Sequence, residues 1–311
     1  MTVPVLFAAS ARDWQNYAAP LQAACADLGV KIDLQRQPDD AAAVQYVVYS
    51  PDGGMTDFTP YSGAKAVLGL WAGVEKIVGI PTLTQPLARM VDPGLTEGMV
   101  EWVTGHVLRH HLGMDRQITN QDGVWQPLFP PLARNRSITV LGLGALGAAC
   151  AQALRALNFP VTGWSRTPKD IPGIDCLHGT EGLDTALSRA EILVLLLPLT
   201  PATDQLINAP ALARMPKGAV VINPGRGPLI DDTALLAALD TGQISHATLD
   251  VFRVEPLPQE HPFWAHPQVT VTPHIASATR PETAVTVIAE NIRRGESGEP
   301  LLHLVDRTQG Y

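Results

Sequence analysis

The chain has 311 residues, a length that favours two domains of ordinary size. It is 46% apolar, enough for two cores, and its net charge of −8, with no basic run, argues against a nucleic-acid partner. The longest apolar run, "ILVLLLPL" at 192–199, falls far short of the ~20 residues that a membrane helix needs.

Cys25, Cys150 and Cys176 show no CxxC spacing, so neither a disulfide framework nor a cysteine zinc site is expected. The opening "MTVPVLFAAS" lacks the basic start and long apolar stretch of a signal peptide. A cytoplasmic location is the expectation.

In chain order, 3–9 reads as a strand, 13–28 as a helix, and 30–34, 44–50 and 64–70 as strands. Glycine-rich connections follow at 69–73 and 79–81. The spacing of Met99, Trp102, Val103, Val107 and Leu108 predicts a helix over 96–112, with Thr96 as N-cap. From 137 the rhythm is cleaner. Strands are expected at 137–144, 159–164, 191–198, 218–223, 245–251 and 268–273, with helices at 145–157, 203–213 and 231–241. Near-continuous apolar runs suit strands buried on both faces of a parallel sheet. A last helix is expected over 281–295. The fold class is therefore α/β, with a dinucleotide-type domain over 98–275 and a second, discontinuous domain made of 1–97 and 276–311.

"VLGLGALG" matches G-x-G-x-x-G at Gly142, Gly144 and Gly147, between a strand and a helix. Gly142 allows the tight turn, Gly144 the approach of a pyrophosphate, and Gly147 close strand–helix packing. Ala145 and Leu146 open the helix, whose free N–H groups suit phosphate. About 20 residues on, the fingerprint expects an acid for the ribose hydroxyl. This chain has Ser165, then Arg166 and Thr167. With no acid there, a 2′-phosphate is tolerated and a guanidinium can clamp it, so NADPH is the preferred cofactor and NADH the alternative. Arg166 also reads simply as a solvated surface residue.

Ligands of an open parallel sheet bind outside the carboxyl ends of its strands. The residues that follow the six strands are the glycines, then Ser165 and Arg166, then Pro198 and Thr200, then Arg226, then Asp250 with Glu255, then His274. Ser277 is a further cofactor-side candidate. Arg226 suits a carboxylate, because a guanidinium gives two parallel hydrogen bonds. Pro224 stiffens its loop, and Gly225 and Gly227 are expected to leave space for ligands. Taken alone, Arg226 reads as readily as a structural arginine paired to an acid. His274 suits general acid–base work, and pairing with Glu255 would favour its imidazolium. His106, His110 and His111 share a helix, but no acid nearby in sequence completes a ligand set, so no metal is expected. Asp231 and Asp232 suit the start of the next helix.

Together, "GLGALG", "GWSRT", "VVINPGRGPLIDDTALLAALDTGQI", "ATLDVFRVEP" and "TPHIAS", with "LWAGVEK" and "PLARMVDPG" in the first third, carry a resemblance. The chain resembles the D-2-hydroxyacid dehydrogenases, and within them the glyoxylate/hydroxypyruvate reductase A group. The resemblance implies two Rossmann-like domains with parallel sheets, the substrate domain flavodoxin-like, and an active-site cleft between them. It implies Arg226 on the substrate carboxylate and keto oxygen, His274 as acid/base and Glu255 as its partner. It assigns Asp250 to the nicotinamide carboxamide, and Leu199 and Thr200 to the adenosine ribose. Ala72, Gly73 and Val74 would bind the substrate carboxylate by their backbone, and Trp71 and Arg89 would line the substrate side. Homodimers are the family's usual state. The expected activity is NADPH-dependent reduction of small 2-keto acids, glyoxylate and hydroxypyruvate first. The alternatives are a reductase of bulkier 2-keto acids, a phosphite- or formate-type dehydrogenase, and an inactive dinucleotide-sensing binding protein.

Overall fold

The computed structural model describes residues 2–308 and 310. The chain divides into two compact units, Met1–Leu95 with Ala278–Tyr311, and Thr96–Ser277.

The first unit is built on β1 (Val3–Ala8), α1 (Ala11–Asp27), β2 (Ile32–Gln35), β3 (Tyr46–Tyr49), β4 (Ala66–Gly69) and β5 (Leu87–Ala88). Its sheet runs in the order β2-β1-β3-β4-β5, with every pair parallel. This is the flavodoxin-like order. Tyr46, Val47 and Val48 are fully buried, as a central strand requires. Ser10 caps α1 by accepting from the Asp13 amide at 3.1 Å. One face of the sheet packs Phe7, Tyr17 and Leu21 against Ile288 and Ile292 of the C-terminal helix.

The second unit opens with α2 (Pro93–Leu112), which begins before its boundary, and α3 (Met114–Thr119). It continues with β6 (Ile138–Leu141), α4 (Ala145–Ala156), β7 (Val161–Ser165), β8 (Asp175–His178), α5 (Gly179–Arg189), β9 (Ile192–Leu195) and α6 (Ala209–Arg214). It closes with β10 (Ala219–Asn223), α7 (Asp232–Asp240), β11 (Ile244–Leu249) and β12 (Val269–Val271), before α8 (Pro281–Ser297) returns to the first unit. Seven strands lie in the order β12-β11-β10-β9-β6-β7-β8, again all parallel. The order reverses between β6 and β9, the switch point at which such sheets bind nucleotides.

Several expectations need correction. Thr96 is not the N-cap of α2. The helix starts at Pro93, and Asp92 Oδ1 accepts from the Leu95 amide at 3.1 Å. The helix expected at 203–213 is only Ala209–Arg214, because Asn208 caps it and Thr203 is held in a turn by bonding to the Pro198 carbonyl at 2.7 Å. Strand β8 and helix α5 were not anticipated, nor was the two-residue β5. Asp231 does cap α7, accepting from the Thr233 and Ala234 amides.

Candidate active site

The glycine turn leaves β6 at the switch point. Gly142 has φ of +104°, and a Cβ there would lie 2.4 Å from the Leu196 carbonyl oxygen. At Gly147 a Cβ would lie 1.7 Å from the Gly142 oxygen, so helix and strand meet there backbone to backbone. Gly144 differs: it is exposed, with nothing within 4 Å of its Cβ position, and no side chain caps α4 beside it. The first amides of α4 therefore face open space, while the residues around them are locked. That fits a dinucleotide pyrophosphate.

At the end of β7, Ser165 is buried and donates its hydroxyl to the Thr167 carbonyl at 2.7 Å. Its hydrogen therefore shapes the turn and is not available to a ligand. Arg166 and Thr167 are exposed. Pro198, Leu199 and Thr200 follow β9 half-buried, and Thr203 braces them through the Thr200 amide at 2.8 Å.

Arg226 lies beyond β10 in a loop tied by buried Asn223. The Asn223 side chain accepts from the Gly225 amide at 3.1 Å and donates to the Arg226 carbonyl at 2.9 Å. Backbone packing by itself requires both glycines. A Cβ at Gly225 would meet the Leu195 oxygen at 2.8 Å, and one at Gly227 would meet Phe252 at 2.0 Å. Pro228 lies within the first turn of a short 3-10 helix, Gly227–Leu229, and its carbonyl accepts from the Gln205 amide at 2.8 Å. The Arg226 guanidinium donates to the Gly225 carbonyl at 2.7 Å, and its side chain is half-buried.

His274 Nδ1 and Glu255 Oε2 are 2.8 Å apart. The other Glu255 oxygen accepts from the Phe252 amide at 2.9 Å, so the carboxylate is fixed at both ends. His274 adopts φ of +55°, an uncommon conformation for a side chain with a Cβ. Buried Asp250 holds it there. Asp250 Oδ1 accepts from the Thr272 hydroxyl at 2.6 Å and from the Ile275 amide at 2.9 Å. Its Oδ2 accepts from the Ala276 amide at 2.8 Å, and its carbonyl accepts from the His274 amide at 2.8 Å. The second unit thus gathers the glycine turn, Arg226 and the His274–Glu255 pair at the carboxyl ends of one sheet. Asn223 was missed as a positioning residue, although its place between "VVI" and "PGRG" was a signal.

In the first unit, Trp71, Ala72, Gly73 and Val74 follow β4, and Arg89 follows β5. The Met90 amide donates to the Trp71 carbonyl at 3.0 Å, which keeps the two segments side by side. Trp71 is exposed and Val74 buried.

The helical histidines have protein partners. His106 packs against Trp102 with the two rings tilted at 51°, and His111 lies edge-on to Phe159. His110 does meet an acid through the fold. His110, Asp115 and His246 bring ligand atoms within 4.8 Å of one another. Arg109 holds Asp115 at 2.6 Å, and the Thr248 and Thr270 hydroxyls bond the two imidazoles at 2.8 and 2.9 Å. The donors of that cluster are thus engaged by the protein itself.

A doubly wound parallel sheet, a glycine turn at its switch point and an Arg–Glu–His set at the same edge define a dinucleotide-dependent oxidoreductase class. Residues 103–276 match the model of the D-isomer specific 2-hydroxyacid dehydrogenase NAD-binding domain. A glyoxylate/hydroxypyruvate reductase A of Yersinia enterocolitica is 41% identical over 255 residues, which span 79% of this chain and 82% of that protein. Among solved structures, a D-isomer specific 2-hydroxyacid dehydrogenase from Xanthobacter autotrophicus Py2, in complex with NADPH and MES, is 42% identical with a TM-score of 0.91, and 100% of each chain is covered. The NADPH-dependent glyoxylate/hydroxypyruvate reductase of Sinorhizobium meliloti, in complex with NADP and sulfate, is 34% identical with a TM-score of 0.87, again with 100% of each chain covered. This chain belongs to the D-isomer specific 2-hydroxyacid dehydrogenase family.

Proposed function

We propose that the protein is an NADPH-dependent reductase of small 2-keto acids, converting glyoxylate to glycolate and hydroxypyruvate to glycerate. The 2.8 Å pair of His274 and Glu255, on the sheet edge that carries the glycine turn and Arg226, is the observation that carries this reading. The names and bound cofactors of the two relatives in complex with NADPH or NADP support the substrate and the cofactor.

Gly142, Gly144, Ala145, Leu146 and Gly147 would hold the pyrophosphate, and Arg166 and Thr167 the 2′-phosphate, with Ser165 shaping their turn. Pro198, Leu199, Thr200, Pro224, Gly225, Asp250 and Ser277 would complete the cofactor side. The second unit is then the dinucleotide domain and the first the substrate domain. When bound, NADPH supplies the hydride that reduces the keto carbon. Arg226 takes the substrate carboxylate and polarises the keto oxygen. His274 gives that oxygen a proton from Nε2, since Nδ1 faces Glu255. Glu255 orients the ring and offsets its charge. Ala72, Gly73 and Val74 would add backbone donors to the carboxylate, with Trp71 and Arg89 on the substrate side.

We also propose a homodimer in the cytoplasm. Val124, Trp125, Phe129 and Leu132 expose 60%, 94%, 90% and 61% of their surface, more than a monomer leaves in water without reason. No helix among the described residues is long and apolar enough to cross a membrane. The functional reading is tested by mixing purified protein with NADPH and either keto acid. It predicts cofactor oxidation matched by 2-hydroxy acid formed. Absence of both turnover and NADPH binding overturns it.

A further inference from the structure

At the amino ends of β6, β7 and β8, the edge opposite the glycine turn, the second unit carries a cleft of about 550 Å³. Arg155 from the last turn of α4, Arg189 from the last turn of α5, Thr162 of β7 and Asp175 of β8 line it. Its volume is that of a small-molecule site. No residue of the candidate active site borders it.

Thr162 exposes only 8% of its surface, and its hydroxyl has no hydrogen-bond partner among the described residues. A buried hydroxyl ordinarily finds one, because leaving water without a partner is costly. Thr139 shows the ordinary case. It sits opposite Thr162 in the β6–β7 register, so both side chains leave the same face of the sheet. Thr139 donates to the Ala186 carbonyl of α5 at 3.1 Å, whereas Thr162 is left to the cleft.

Two guanidinium groups stand against one carboxylate in this lining, the reverse of the chain's overall charge of −8. Arg189 donates to Asp175 Oδ2 at 2.6 Å through Nη1, which leaves the rest of its fork for a ligand. Arg155 has no carboxylate partner among the described residues. A Cβ at Gly173 would lie 3.6 Å from Arg155 Nε, so the arginine lies along bare backbone at the turn into β8. Carbonyls at the end of α5, which would repel an anion, are already engaged. Ser137 donates its hydroxyl to the Arg189 carbonyl at 2.6 Å, and Ser188 donates to the Thr185 carbonyl at 2.8 Å.

We propose that this cleft is a second ligand site and that it takes a phosphorylated polyhydroxy compound. The phosphate would lie between Arg155 and the free N–H groups of Arg189, since forked donors suit a doubly charged oxyanion. The hydroxyls of the ligand would meet Thr162 and the Asp175 carboxylate, which disfavours a ligand that is anionic throughout. The site stands apart from the proposed reductase chemistry and does not depend on it. Both arginines also suit the negative ends of their helices. That role alone would lower Tm on substitution but would give no response to a ligand.

The full-length wild type, Arg155→Met and Thr162→Val are titrated calorimetrically with ribose 5-phosphate, ribose and inorganic phosphate. NADPH is present throughout, to fill the cofactor's own phosphate sites. Ribose 5-phosphate should bind more tightly than either fragment. It should raise Tm by about 2–4 °C when present at about tenfold its Kd. Arg155→Met should weaken its binding at least about tenfold, the worth of hydrogen bonds to a charged donor, and Thr162→Val about threefold. Without ligand, Thr162→Val should melt no lower than the wild type, because it deletes a hydroxyl that nothing satisfies. No binding at millimolar ribose 5-phosphate, or equal affinity in Arg155→Met, overturns the site. Inorganic phosphate bound as tightly as ribose 5-phosphate overturns the ligand class. Equal affinity in Thr162→Val, or a lower Tm of that variant without ligand, overturns the part given to the hydroxyl.

Discussion

On the proposed reading, two side chains carry most of the chemistry, and each has a neighbour that would make it usable. His274 alone is an exposed imidazole on a left-handed residue. Glu255 at Nδ1 and the bonds that Asp250 accepts from 272–276 fix its backbone and ring, as the proposed proton donor requires. His274→Ala should lower kcat by about a hundredfold to ten-thousandfold, the usual worth of general acid–base catalysis. NADPH affinity should be much less affected, and fluorescence titration checks this. Arg226→Lys keeps the charge but loses the forked geometry. It should raise KM for the keto acid and lower kcat/KM by at least about tenfold. Wild-type kinetics in the lysine variant would show that the clamp is not what Arg226 does. Residue types and their order after successive strands made both residues legible in the sequence. The roles of the flanking glycines were not legible, because only the fold shows that Leu195 and Phe252 press against them.

Among the elements, the strand–turn–helix β6–α4 shows how two glycines of one motif do different work. Gly147→Ala would put a Cβ onto the Gly142 oxygen, so a marked fall in Tm is expected. Gly144 has open space, so Gly144→Ala should melt close to the wild type yet bind NADPH more weakly. Equal melting of the two variants would contradict this division. The end of α2 and β11 sets a pH dependence. Burial, with the nearby charge of Arg109, holds His110 down at about 3 and His246 at about 4. His106, His266 and Asp115 also face this pair. Both imidazoles are neutral when folded but take protons near pH 6.5 when unfolded, so protonation favours the unfolded chain. Their contribution is complete above about pH 6.5 and is lost as pH falls toward about 4 and then 3. Tm should therefore drop between about pH 7 and about pH 5, less steeply in a His110→Gln/His246→Gln variant. An identical slope in that variant would contradict the assignment. Strong apolar runs made the central strands legible in the sequence. Strand β8 was hidden because it is an edge strand with only Cys176 and Leu177 turned inward, and α5 because glycine and threonine dilute its apolar face. The two-residue β5 gives no periodicity at all.

At the scale of the whole molecule, the first unit is completed by chain that returns after Ser277. Helix α8 packs on α1, and the tail extends the sheet at β5. A single last helix left over after a finished sheet made that return legible, whereas the tail's pairing with Leu87–Arg89 rests on backbone bonds that no side-chain pattern announces. The exposed segment with Trp125 and Phe129 predicts a solution mass near twice the 33.3 kDa of one chain. Trp125→Asp with Phe129→Asp should yield a monomer by light scattering. A wild type that is monomeric at micromolar concentration would refute the dimer. The central claim is that the strand ends of the second unit form an NADPH site for keto-acid reduction. The most direct test is kcat/KM for hydroxypyruvate measured with NADPH and with NADH on the same preparation. The structure predicts turnover with both and clear preference for NADPH. Preference for NADH, or no turnover with either, would contradict it.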